Sequence, residues 1–531
     1  MNRTLTLPSS LKTISATKVP TGGVTSCRLT QGATSLCISF FGCTLLTCGF
    51  LATHPQIAHW FIIPTLLCGI VIGSDAVDWL RGRIDLFDPV GIVGVLGVHF
   101  FLLAPLLHVS WGYWLSNERP YVDPPPDWRD WLGYMAVLNA AGLVIYRCVR
   151  DRVAARVRVC PLSYWQLNPK RLFLAAMIGL VVSAIVQLLL YVRFGGIRGF
   201  IDAFTYDTQT MDSSEAFDTD NALAGMGWLL MIAECFPILA IICFAVWIKR
   251  ARLQLGSFTI AIVLLGFFIV RMLFGGLHGS RSNTLYALFW AAGIIHFWLR
   301  PLAKKLVLLG IGFLFAFMYL YGFYKSLGSD FVVAFHEGAS PAELGENTGR
   351  TFQGLVLGDL ARADVQAFIL YRLSLADLDY KLALGRTYIG TIAQLVPRAV
   401  WPDRPPNKRK EGTEVQYGVG SYDPNGWASA RVYGISGEAM LNFGPLAVPL
   451  AYLVFGLVVG RLRGFLAILR KGDTRLLLFP FLITICFWLL VGDSDTLLFI
   501  LIKDGLPPAL VVWIGSNCLR SASSLSEEHS A

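Results

Sequence analysis

The chain has 531 residues, of which 55% are hydrophobic and only 15% charged, with a formal net charge of +9. A soluble domain carries roughly 25% charged residues, so this composition excludes an ordinary soluble enzyme. In a chain this apolar, the positive excess orients helices in a membrane before it binds nucleic acid, and no nucleic-acid module is expected as a partner.

In chain order, residues 1–33 form a tail with four basic and no acidic side chains. The apolar run after it lacks an A-x-A cleavage pattern, so a retained first helix is expected. A span needs about 20 mostly apolar residues. Twelve stretches meet or approach that length: 34–52, 57–73, 90–109, 131–148, 172–193, 223–248, 254–275, 283–299, 306–324, 433–460, 476–492 and 496–515. The second is short, and the last is interrupted by Lys503, Asp504 and Pro507–Pro508. These spans predict an all-α integral membrane protein of about twelve transmembrane helices, nine in residues 34–324 and three in 433–515.

Alternate connections are basic: the tail, Arg81/Arg83, Arg147–Arg171 with seven basic residues, Lys249–Arg252, Arg300–Lys305 and Arg461–Arg475. Those between them are acidic or neutral, and residues 195–222 hold six carboxylates against one arginine. Lys and Arg in short loops mark the cytoplasmic side. Both termini, including the tail 516–531, are therefore expected in the cytoplasm. Residues 325–432 become one large loop outside.

That loop balances twelve basic against twelve acidic side chains. Its stretch 352–385 predicts two short helices lying along the membrane surface, and "RTYIGTIAQLV" a third, stopped at Pro397. Four prolines from Pro397 to Pro406 then hold the chain extended around Arg398 and Arg404. The Lys408–Lys410 run after them is expected to face solvent or lipid headgroups.

The stretch beginning "VYGISGEAMLNFGP" is too long for one upright crossing. It sets Glu438 and Asn442 four residues apart, on one helical face, with Arg431 just upstream. A carboxylate near the membrane is costly and is by default a functional candidate; pairing with Arg431 or capping a helix is the plain alternative. Arg193, Arg271 and Arg281 close or open spans on the same side. One arginine at a helix end usually snorkels. Several together make a set suited to reading phosphate bidentately. Glu234, midway through its span, is expected to pair with one of them. The eleven cysteines lie mostly in apolar or basic stretches without metal-ligand spacing and read as small buried residues.

"GRTYIGTIAQLVPRAVWPDRPP", followed by "ISGEAMLNFGPLAVP" and preceded by "GSRS", resembles the Wzy-like oligosaccharide repeat-unit polymerases of bacterial envelopes. The resemblance covers roughly residues 270–460. It implies an inner-membrane glycosyltransferase of the GT-C type that joins repeat units carried on undecaprenyl diphosphate at the periplasmic face. Membrane lipid, a chain-length regulator and a flippase are the implied partners.

Arg281, Arg398 and Glu438 fall on the motif positions, with Asn442 and Gly444 in the "NFG" element. Arg398 and Glu438 are the candidate catalytic residues; Arg281, Arg404, Arg431, Asn442, Arg271 and Arg193 are the candidate substrate-binding residues. Asp403 and His336 stand behind Glu438 as proton acceptors. No His-x-x-His or D-x-D cluster stands out and "THPQ" after the first span has no carboxylate, so neither metal nor cofactor is expected. Two readings compete: an O-antigen ligase, differing only in acceptor, and a non-enzymatic transporter or flippase of lipid-linked sugars, which should show repeated halves.

Overall fold

The computed structural model describes residues 24–114, 123–158, 163–205, 227–277 and 281–519, except 329, 337, 339, 362, 376–379, 397–399, 402, 406–407 and 424–433. The described residues are mostly helical, and ten described helices are long and apolar enough to cross a membrane. They are α1 (Val24–Thr53, apolar from Gly32), α2 (Ile62–Leu80), α3 (Pro89–Trp111), α4 (Trp128–Val157), α5 (Pro169–Arg193), α6 (Gly227–Arg250), α7 (Ser257–Gly276), α9 (Lys304–Leu327), α14 (Ala447–Ile468) and α16 (Ser494–Ile514). The expected spans 283–299 and 476–492 coincide with α8 (Arg281–Ile294, continued by a π-helical turn to Leu299) and the shorter α15 (Phe479–Val491). Expected and observed bounds mostly agree within a few residues.

The second span is displaced: a 3-10 turn at Pro55–Ile57 delays α2, which then runs on past Asp75 and Asp78. These acids are tolerated because Asp75 pairs with Arg150 of α4, and Asp78 accepts from Ser35 at 2.5 Å and Arg83 at 3.2 Å. Two of these partners, Arg150 and Ser35, lie far along the chain, where local hydropathy does not see them.

The basic connections meet on one face. Strand β1 (Tyr164–Leu167) pairs antiparallel with β2 (Ser516–Leu519). Arg475 donates to the Ser163 carbonyl at 2.5 Å, and the Thr474 and Ser516 hydroxyls are 2.6 Å apart. Arg300 reaches the Leu255 carbonyl at 2.6 Å, and Lys304 the Leu80 carbonyl at 3.0 Å. Loops expected on a common side therefore touch one another.

The opposite face differs from expectation in two ways. The stretch 433–460 is no single helix. Helix α13 (Gly434–Phe443) ends at Gly444, whose φ of +83° turns the chain back before α14. The Ser436 hydroxyl lies 3.4 Å from that of Tyr452, sixteen residues later, which a continuous helix would hold far away. This reversal accommodates the excess length.

The large loop, moreover, does not simply lie on a surface. Its segment Gly354–Asp359 is a π-helical turn with Leu355, Val356, Leu357 and Gly358 buried. In α10 (Ala363–Ser374) every residue from Ala363 to Leu370 is buried. Six of these join the main core with Leu132, Leu143 and Tyr452. Lacking a polar face over those eight positions except Asp364 and Gln366, α10 is stable only when enclosed.

Candidate functional site

The short helices α11 (Arg386–Ala393) and α12 (Lys408–Tyr417) converge with α13 and the start of α16. Gly385, at φ +91°, opens α11. The backbone N–H groups of Ala383 and Leu384 donate to the carbonyls of Leu441 and Asn442 at 3.0 and 2.9 Å. Asn442, fully buried, accepts from the Gly385 N–H at 2.8 Å. Its amide donates to the Thr387 hydroxyl and the Glu438 carbonyl, both at 2.8 Å. The i, i+4 pair expected from sequence does share a face.

Glu438 is 3% exposed. One carboxylate oxygen accepts from the Thr387 hydroxyl at 2.8 Å and the Ser494 hydroxyl at 2.5 Å; the other accepts from the Ser494 N–H at 2.8 Å. Burial above all, and then the negative charge of Asp493, push its pKa up to about 7, against the pull of the Ser494 bonds. Helix α13 lies outside the ten long spans. A buried carboxyl with such donors sits near the pKa useful for proton transfer at neutral pH.

Next to it, Asp493 caps α16 by accepting from the Thr496 N–H at 2.9 Å, and Lys408 donates to its other oxygen. Asp495 accepts from Thr391 of α11. Asp493 and Asp495 were not among the candidates named from sequence, although the triplet Asp493-Ser494-Asp495 has the D-x-D spacing of metal-holding carboxylates. Here the ammonium of Lys408 occupies Asp493, so the positive charge is built in. The expectation that Lys408–Lys410 faces outward is corrected: Lys408 and Arg409 are 5% and 3% exposed, and only Lys410 is less enclosed. A buried lysine requires a paired acid, and Asp493 supplies it.

Two further clusters hold the arginines. At the N-terminus of α8, Arg281 donates to one oxygen of Asp359 while Arg350 donates to the other. Gly322 of α9 leaves room for the Arg350 guanidinium, which any Cβ there would strike. The two guanidinium groups are thus held side by side on one carboxylate, each only partly exposed.

Arg271 is 2% exposed and donates to Glu234 at 2.7 Å, while Lys503 reaches the other Glu234 oxygen at 2.7 Å. This is the arginine partner expected for Glu234. Both cations are spent on a carboxylate inside the bundle, which separates Arg271 from the phosphate-reading set proposed for it. Gly275, at φ +134°, packs directly on the Glu234 side chain.

Arg193 is exposed at the end of α5. Arg404 donates to the Val396 carbonyl at 3.0 Å, and Asp403 and His336 are exposed. Arg398 and Arg431 lie outside the described residues. Compared with protein-family models, curated proteins and solved structures, the chain gives no match.

Proposed function

We propose that this protein is a membrane glycosyltransferase that polymerises oligosaccharide repeat units carried on undecaprenyl diphosphate. In this reading the basic face lies in the cytoplasm, and the face bearing 325–432 lies outside the inner membrane. The observation that carries it is the junction of α11 with α13: the two stretches that resemble the repeat-unit polymerases are bound to each other through Thr387, Glu438, Asn442 and Gly385.

The chemistry follows from the charges. An acceptor sugar hydroxyl attacks the anomeric carbon of the donor, the bond from that carbon to the diphosphate oxygen breaks, and the diphosphate leaves with the electron pair. Cations must meet the developing charge. Arg281 and Arg350, held side by side by Asp359, are suited to it, and the resemblance assigns Arg398 the same task. The hydroxyl proton needs an acceptor. Glu438 takes it by exchanging one of its donors, the Ser494 hydroxyl, for the acceptor hydroxyl. Lys408 already sits on Asp493, and in this reading turnover on lipid-linked substrate should survive EDTA.

The decisive experiment supplies purified, reconstituted protein with lipid-diphosphate-linked repeat units and resolves the products by length. A ladder of polymers that vanishes in Glu438→Gln supports the reading. Transfer of finished polymer to a different lipid acceptor would favour the ligase. Movement of intact lipid-linked sugar across the bilayer without new glycosidic bonds would favour the transporter. One observation speaks for that last alternative: helix irregularities in α6, α7 and α16 converge on Glu234, Arg271 and Lys503.

A further inference from the structure

Helix α11 is amphipathic in the inverted sense. Thr387, Gly390 and Thr391 face inward, onto Glu438, Ser494 and Asp495. Ile389 and Ile392 face outward, at 55% and 67% exposure. The flanking chain repeats the pattern with Leu382, Leu384, Leu395, Val400 and Trp401, all exposed. Leu384 is extreme: it adopts a left-handed φ of +47°, rare for a bulky residue, and leaves its side chain 74% exposed. Water on that side would make the arrangement costly through its exposed apolar surface.

The patch does not end at α11. Leu382 approaches Gly444, the Tyr388 and Phe443 rings stack with centroids 6.5 Å apart, and Phe443 and Leu446 are 53% and 82% exposed. From Leu446 the exposed row continues down α14 through Leu450, Leu453 and Val454. That helix is a membrane span by length and composition, so its outward leucines face hydrocarbon. The α11 surface is continuous with it. At the edge of the patch stand Lys381 and Arg386, both exposed, with Arg386 reaching back to Glu411 at 3.2 Å. Cations at the rim of an apolar face fit phosphate headgroups.

We propose that residues 382–396, with Val400 and Trp401, form an in-plane element sunk into the outer-face leaflet of the bilayer, with its apolar side covered by lipid acyl chains. The large loop is thus partly a membrane-embedded structure, and the Glu438 junction lies behind a wall whose far side is lipid. The proposal stands apart from the glycosyl-transfer reading, since it concerns only what covers α11.

The test places an environment-sensitive fluorophore at single cysteines, Leu384→Cys, Ile392→Cys and the exposed His336→Cys, in a background without the native cysteines. The full-length proteins are reconstituted into phosphatidylcholine vesicles. Chains brominated near their middle should quench the probes at positions 384 and 392 severalfold more than the probe at 336, and aqueous iodide should do the reverse. Strong iodide quenching at 392, equal to that at 336, overturns the proposal. So does indifference of 392 to both quenchers together with disulfide dimers through Ile392→Cys, because a second copy would then cover the face. Should the position-392 variant fold poorly, Trp401→Cys, also exposed on the patch, gives the same discrimination.

Discussion

Glu234 and Glu438 are equally buried, at 3% exposure each, yet the protein treats them oppositely. Glu234 is matched by two cations, Arg271 and Lys503, each 2.7 Å away, and sits where irregular turns interrupt helices. Among the described residues no cation meets Glu438, only two hydroxyls and one backbone N–H. The first arrangement fixes a charge and spends it. The second leaves the carboxyl close to titration, with donors that rotate. A buried acid is informative through its neighbours rather than its burial.

The comparison breaks most sharply under paired amide substitutions. Glu438→Gln should leave protein level and insertion intact while polymer falls at least about a hundredfold, the scale of a lost transition-state contact. Glu234→Gln strands Arg271 and Lys503 in the bundle, at a cost of about 3–5 kcal/mol, so the amount of folded protein should drop. Blots at matched expression and polymer gels read both. Normal polymer in Glu438→Gln would make that residue purely architectural. Full protein level in Glu234→Gln would show that the two cations are not held by it.

Arg398→Ala should cost on the order of 3 kcal/mol, or about a hundredfold in rate, and Arg398→Lys should recover part of it. Arg350→Lys should lose somewhat less, since Arg281 stays on Asp359. Single repeat units should accumulate in each. If Arg350→Ala polymerises normally, the Asp359 cluster is an architectural tie.

Acidity offers a middle-sized test. Because the folded Glu438 carboxyl holds its proton up to about pH 7 and a free glutamate only to about 4.5, the folded state binds more protons between those values. Its contribution to stability therefore declines as pH rises from about 4.5 to 7, and then levels off. Activity should run the other way, climbing through pH 7 as the acceptor ionises. Ser494→Ala should shift the midpoint upward, because it removes the hydroxyl donor that supports the charged form while the backbone N–H remains. The smallest effects are expected at exposed Arg193 and at Lys410, where Ala and Ser should change polymer yield severalfold at most. Lys408→Ser differs from its neighbour: it orphans Asp493 and should reduce folded protein, which thermal denaturation in detergent would show.

Much of the architecture was legible because hydropathy and loop charge are local quantities. Glu438 and Asn442 could be placed on one face from their spacing alone, and Glu234 could be assigned an arginine partner, though not which one. What stayed hidden was decided by residues far apart in sequence. Lys408 read as a solvated cation because Asp493, which makes it a buried one, lies 85 positions later. The apolar face of α11 read as an ordinary short helix because its inverted sense is defined only by what Thr387 and Thr391 bind. The reversal at Gly444 was signalled by excess length, and its direction only by the Ser436–Tyr452 contact.

The small β1–β2 clasp has a bearing on how the protein is made. Strand β1 leaves the ribosome when only four of the long helices precede it, whereas β2 follows α16, the last of them. Through the whole interval the edge of β1 has no partner from this sheet, and the loop carrying it is free of that restraint. The latch closes only once the final helix has been delivered, so its closure reports a finished bundle. A chain halted before β2 would have every earlier helix and still lack the stitch that joins its fourth connection to the stretch after α16.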